Sequence, residues 1–152
     1  MPRRVITTAK YHGKAKDIFL EALEFRELTE AMSGIAEYDG FTDKVVQQGQ
    51  TYLVDVTIFK VFKTKDYEMF IEFLDANACV LQSREKGGVI KMWDHKLTVR
   101  QDSEFAIWVD DVTIDAGLTT IAMAHFGAFI YKQRHKHRKA LSITTQVKSI
   151  TS

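Results

Sequence analysis

The residues from Gly117 to Lys139 constrain the fold of this chain more than any other stretch. Between Leu118 and Tyr131 the clearly polar positions are Thr119, Thr120 and His125, whereas Lys132 to Lys139 is almost entirely basic. The spacing predicts one long helix with a buried half and a wet half. Leu118, Ile121, Ala122, His125, Phe126, Phe129, Ile130 and Gln133 form a broad face that reads as the buried one. Met123, Ala124, Gly127, Ala128 and Tyr131 line a second face of small residues that also tolerates close packing. At about 1.5 Å per residue such a helix spans roughly 30 Å, enough to lie across a small sheet. The basic end, Lys132 to Lys139, is expected to be solvated, because cations at a helix C-terminus are favoured by the macrodipole and have no aromatic platforms interleaved for nucleic acid. His135 and His137, two apart on a helix, point in different directions and make no metal site.

What must surround that helix follows from the rest of the chain. Pro2 is the only proline in 152 residues, so turns fall to Gly, Asp and Asn, and no strand is interrupted by a missing backbone donor. Val5 to Tyr11 reads as a first strand. Ile18, Phe19, Ala22, Leu23, Leu28 and Met32 then recur at helical spacing with a break near Glu24 to Arg26, which predicts a bent helix or a helix pair ending at Gly34. From there to Gly117 the pattern is β throughout. Strands are expected over 35–41, 51–59, 67–74, 78–85, 89–100 and 105–114, with a short one near 44–47 and Lys60 to Asp66 as a loop or ragged end. A hydrophobic content of 45% and a charged content of 27% suit a single domain over 1–152. The formal net charge of +1 argues against a protein built chiefly to bind polyanions. The single cysteine, Cys79, sits in an apolar run and reads as a buried structural thiol in a reducing compartment. With no signal peptide and no membrane-length apolar run, the expected location is cytoplasmic.

The last hairpin carries the most specific local chemistry. With Asp102 and Ser103 as the loop, Val99 pairs with Ala106, Leu97 with Trp108, His95 with Asp110 and Trp93 with Val112. These residues share one sheet face, apolar from Trp93 onward except for His95 and Asp110 side by side. The same register sets Asp94 against Asp111, an unfavourable pair. His95 and Asp110 are expected to point toward the long helix, either as a buried hydrogen bond that fixes the hairpin or as a polar anchor facing a cavity. His125 reads as a satisfied core histidine or a ligand contact. No phosphate loop, dinucleotide fingerprint, nucleophile elbow or zinc cysteine set occurs, so neither a metal nor a nucleotide cofactor is expected.

Trp93-x-His95, a turn, then Asp110-x-Val112 leading through Gly117 into a long helix with Tyr131 and Arg134 resembles the pattern of the START-like, polyketide-cyclase and ligand-binding superfamily. The likeness runs from about Val5 to Arg138, with Ala116-Gly117 standing where the family often has a proline. It implies an α+β helix-grip fold: a curved antiparallel sheet wrapped around a long C-terminal helix, a helix pair after the first strand, and an apolar cavity between sheet and helix. It also implies a small apolar or aromatic ligand as partner, contacting Trp93, Trp108, His125, Phe126 and Phe129 and oriented by His95, Asp110 and His125. A cyclase- or dehydratase-like enzyme using His95 and Asp110 as an acid–base pair is the alternative. An interaction module with a filled core is a third.

Overall fold

The computed structural model describes residues 1–150. Strand β1 (Arg3–His12) buries Val5, Thr7, Ala9 and Tyr11 on one face, the alternation of a half-buried strand. Helices α1 (Ala15–Ala22) and α2 (Phe25–Ala31) follow. Glu24, extended at φ −80° and ψ 124°, separates them and forms a β-bridge with Val45. That lone bridge is all that forms of the short strand expected near 44–47.

The remaining strands are β2 (Ala36–Asp39), β3 (Thr51–Ile58), β4 (Phe62–Asp75), β5 (Val80–Gly87), β6 (Ile90–Asp102) and β7 (Phe105–Asp115). Helix α3 (Thr120–His137) is entered through a 3-10 turn at Gly117–Thr119 and is followed by strand β8 (Ser142–Ser149). The sheet order is β2-β3-β4-β5-β6-β7-β1-β8, with antiparallel pairing throughout. Register shifts at Val54/Val56, Ile71/Phe73 and Glu85/Gly87 put bulges in successive strands, the device that curls a sheet around what lies on its concave side.

Four sequence expectations are corrected. Residues Lys60 to Asp66, expected as a loop or a ragged strand end, are from Phe62 onward the start of β4; the turn before it holds Phe59 and Lys60 at φ 51° and 60°. Strand β8, absent from the expected order, pairs along β1 from Lys10↔Ser142 to Arg3↔Ser149. The β6–β7 loop is Ser103-Glu104, so the register slips by two: Val99 pairs with Trp108, Leu97 with Asp110, His95 with Val112 and Trp93 with Ile114. A two-residue slip leaves every side chain on its original face, and it relieves the acidic clash, since Asp94 now opposes Thr113 and Asp111 opposes Lys96.

The fourth correction concerns α3, which turns its small face to the sheet. It lies over β1, β7 and β8 and buries Ala124, Gly127, Tyr131, Arg134 and His135. Close approach is the cause. A Cβ on Gly127 would meet Trp93 Cη2 at 3.0 Å and Ile114 Cδ1 at 3.1 Å, so the helix sits where no larger residue fits. The broad face instead leaves Leu118, Ile121, His125 and Phe129 exposed, and Phe126 half-buried. The basic end is not uniformly solvated either. Arg134 bonds Glu27 Oε2 at 2.5 Å and the Ala22 carbonyl at 3.2 Å, Arg138 bonds Glu21 at 2.7 Å, and both guanidiniums lie over Trp108. These contacts tie α3 to the helix pair. Lys132, Lys136, His137 and Lys139 are exposed as expected.

The core has two main lobes. Phe19, Leu23, Tyr52, Val54, Leu97 and Trp108 pack between the helix pair and the sheet; Val5, Trp93, Val112, Ile114, Ala124 and Tyr131 pack under α3. Thr7, Ser83, His95, Asp110 and His135, all buried and polar, bring hydrogen-bonding groups into this interior. Cys79 is buried as expected, and burial pushes its thiol up.

Candidate functional site

The interior polar cluster is built around Asp110. On β7 the alternation that buries Trp108 and Val112 also drives Asp110 inward, to 0% exposure. A carboxylate there must have its lone pairs satisfied by protein. His95, one diagonal step away on β6, places Nε2 at 2.8 Å from Oδ1, and Trp108 Nε1 donates to the same oxygen at 3.0 Å. His135, from α3, places Nε2 at 2.9 Å from Oδ2, and its Nδ1 lies 2.6 Å from the Tyr11 hydroxyl. Burial pushes the Asp110 carboxyl up, but hydrogen bonds from His135 and His95, with their charges, outweigh it and hold the group well below the usual carboxylate range. Because both histidines face the carboxylate through Nε2, each carries its proton there. The Tyr11 hydroxyl then donates to His135 Nδ1 when that ring is neutral and accepts when it is protonated. Burial pushes Tyr11 up to about 12 against the opposing charge of Arg138, so it stays a phenol at neutral pH.

A second polar centre lies one strand further along. Glu85 on β5 pairs with Trp93 across the ladder and shares its inward face with Ser83, which pairs with His95. Ser83 Oγ donates to Glu85 Oε1 at 2.9 Å, and the Tyr67 hydroxyl on β4 donates to Oε2 at 3.0 Å. Burial pushes the Glu85 carboxyl up, against the charge of His95 and these two hydrogen bonds. Nearby, Trp93 Nε1 donates to the Tyr131 hydroxyl at 3.0 Å, and the His95 and Tyr131 rings lie 5.1 Å apart. Burial, then the field of Glu85, raises both the Tyr131 and the Tyr38 hydroxyls. Of these phenols Tyr67 bonds the carboxylate directly, and Tyr131 bonds Trp93, the residue that pairs with Glu85 across the ladder.

The packing around this second centre differs from that around the first. Trp108, Val54, Ala106 and Val112 retain no exposed surface at all. Tyr38, Val56, Tyr67, Met69, Glu85 and Ile90 face the same concave side yet keep accessible surface. These inward side chains are only partly covered, whereas those around Asp110 fill a core.

Of the residues singled out from the sequence, Trp93, His95, Trp108 and Asp110 come together in this interior. His125, Phe126 and Phe129 do not join them. Phe126 and Phe129 meet Phe59 at the β3–β4 turn, with ring centroids 6.2 Å and 6.4 Å apart respectively, while His125 faces solvent. Sequence reasoning missed His135, Tyr11, Tyr67, Glu85 and Tyr38. His135 had a signal, since it continues the small helical face of Ala124, Ala128 and Tyr131 at steps of three and four. Glu85 lies between Arg84 and Lys86 and reads as part of a charged run; only the strand's parity with Ser83 and Leu81 marks it as inward. Two open clefts lie outside the grip: one of about 490 Å³ on the convex sheet face beside Arg4, Asp94 and Asp111, and one of about 470 Å³ between Glu24, Glu27 and His137. Among the described residues no group of His, Cys, Asp and Glu has the arrangement of a metal site, and no helix is long and apolar enough to cross a membrane.

No protein-family model matches the chain, and no curated protein is similar to it in sequence. Solved structures are similar in shape. The protein TTHA0849 from Thermus thermophilus superposes with a TM-score of 0.62 at 9% identity, over 86% of this chain and 88% of that one. Ginseng major latex-like protein 151 from Panax ginseng gives 0.62 at 8% identity, over 90% and 97%. A truncated norcoclaurine synthase from Thalictrum flavum gives 0.62 at 8% identity, over 91% and 94%. The fold is the helix grip. At these identities the likeness is one of architecture: a curved antiparallel sheet, a helix pair after the first strand and a long C-terminal helix.

Proposed function

We propose that this protein binds a small apolar or aromatic molecule in the space between the concave sheet face and α3. The observation that carries the reading is the contrast in packing between the two polar centres: Tyr38, Tyr67, Met69 and Glu85 point inward and keep accessible surface beside the aromatic walls of Trp93 and Tyr131. Apolar walls supply most of the affinity of such a site and a few convergent polar groups set the orientation of the ligand. His95 commits Nε2 to Asp110, which leaves Nδ1 to meet a ligand hydroxyl or carbonyl. Asp110, His135 and Trp108 act as the brace that fixes that ring. Phe126, Phe129 and His125 stand at the outer margin, where the β3–β4 turn meets α3, and fit a role in admitting the ligand better than in holding it. Helix-grip neighbours include a protein named a synthase, and an acid–base role for His95 and Asp110 is the enzymatic counterpart of the same site.

The test is titration with the neutral fluorophore N-phenyl-1-naphthylamine, followed by displacement with fatty acids, sterols, quinones and polyphenols. Saturable binding that Met69→Trp reduces at least about tenfold, with the fold retained by circular dichroism, supports the site. No probe binding tighter than about 1 mM, a level at which association is worth roughly 4 kcal/mol, rejects it. A displaced compound that emerges chemically altered, with turnover lost in His95→Ala, would instead establish the enzyme.

A further inference from the structure

We propose that the interior site takes a ligand with an organic cation at one end, a protonated amine or quaternary ammonium on an apolar body, with Glu85 as counter-charge and the rings of Tyr38, Tyr67, Tyr131 and Trp93 around it. The inference rests on the ligand-binding reading above and adds the chemical class.

Glu85 is an inward carboxylate without a cation. Among the described residues no lysine or arginine forms an ion pair with it, and the basic residues that flank it in sequence turn away: Arg84 pairs with Glu72 and Asp94, and Lys86 with Glu68. His95, whose charge is felt at Glu85, gives its Nε2 to Asp110. The contrast with Asp110 is direct, because that carboxylate holds a histidine on each oxygen while Glu85 holds only hydroxyls.

Ser83 and Tyr67 meet different oxygens of Glu85, so both oxygens are answered by neutral hydroxyls and neither by a positive charge. An inward, partly covered carboxylate with no opposite charge carries a desolvation cost, and that cost is relieved when a cation arrives. Burial alone pushes the Glu85 carboxyl up, the same strain in another form. The rings complete the site. Aromatic faces attract cations electrostatically and more strongly once desolvated; here Tyr67 bonds the carboxylate, Trp93 pairs with Glu85 across the ladder and carries Tyr131 on its indole nitrogen, and Tyr38 feels the field of Glu85. A neutral apolar ligand would use the walls and leave the carboxylate unanswered.

The experiment compares benzyltrimethylammonium with neopentylbenzene, its uncharged carbon isostere, by displacement of N-phenyl-1-naphthylamine from the full chain. The cation is expected to bind at least about tenfold tighter to the native protein, the scale of one desolvated cation–π contact. In Glu85→Gln the preference should disappear while the isostere keeps its affinity. The comparison on the native protein decides the matter even where Glu85→Gln folds poorly. If the isostere binds as well as the cation, the cation inference falls and the apolar-ligand reading stands. If neither displaces the probe and the probe itself does not bind, both fall.

Discussion

Replacing Asp110 by asparagine tests the centre of the interior with a change of a few atoms. The carboxylate is fully covered and takes hydrogen bonds at 2.8 Å from His95, 3.0 Å from Trp108 and 2.9 Å from His135. An asparagine in the same pose keeps one carbonyl oxygen for His95 and Trp108 but turns an amide toward His135 Nε2, donor against donor. Relief requires His135 to move its proton to Nδ1, where the Tyr11 hydroxyl at 2.6 Å must then become an acceptor. One hydrogen bond to a charged group is lost, and the remaining two lose their charge. At about 1.5–3 kcal/mol for a hydrogen bond to an ion, less what the switched tautomer recovers, the loss comes to roughly 2–4 kcal/mol. With an m-value of about 2 kcal/mol/M, the urea midpoint at pH 7 should fall by about 1–2 M with the slope unchanged. The pH dependence gives a second readout. Asp110 titrates below its unfolded value of about 3.9, so its contribution is complete above that pH and is lost as pH falls through the folded value. The gap between native and variant stability should therefore narrow steadily as pH falls below about 4. A midpoint shift under about 0.3 M at pH 7, or a gap that widens in acid, would refute the account.

Two further outcomes follow from α3. Arg134→Ala, which leaves the half-buried Glu27 carboxylate with Arg138 alone and removes one of the two guanidiniums over Trp108, should cost about 2–3 kcal/mol in urea unfolding, whereas Lys132→Ala in the same basic run should change stability by less than about 0.5 kcal/mol. Gly127→Val should cost about 2–3 kcal/mol, because the space over Trp93 and Ile114 is already filled, and near-ultraviolet circular dichroism should report the displaced indole. A stabilised Gly127→Val would mean that the helix does not approach the sheet as closely as described.

The element order and the sidedness of the strands were legible in the sequence because both depend on period alone. The long helix, the helix pair and strands β2 to β7 follow from it. His95 and Asp110 were assigned to the concave face even with the hairpin register out by two, since a slip of two preserves the side. Position along the ladder was not legible, because Asp102-Ser103 and Ser103-Glu104 are both acceptable turn pairs. The facing of α3 was misread for a physical reason: Phe126 and Phe129 promise more buried area, but Gly127 and Ala124 permit the close approach, and the sheet selects proximity over bulk. That error hid His135 and Arg134, which share the chosen face. Glu85 and Tyr67 were hidden differently. Each sits among charged neighbours in a strand that ends in irregular pairing, where alternation is brief and charge reads as exposure. Strand β8 carried a signal in Ile143, Thr145 and Val147 that the preceding basic run obscures.

The pairing of β1 with β8 also orders events during synthesis. Arg3 aligns with Ser149, so the ladder that shields one side of β1 joins residues separated by nearly the whole described chain. Its other side waits for β7, whose residue Ile114 aligns with the same Arg3. Strand β1 thus has no partner on either side until β7 and β8 have been made, and α3, which rests on β1, β7 and β8, cannot seat before then. Non-local closure of this kind slows folding and leaves a β-prone segment open to other chains meanwhile. The nascent form of this protein, more than the finished one, is where a chaperone would find its substrate.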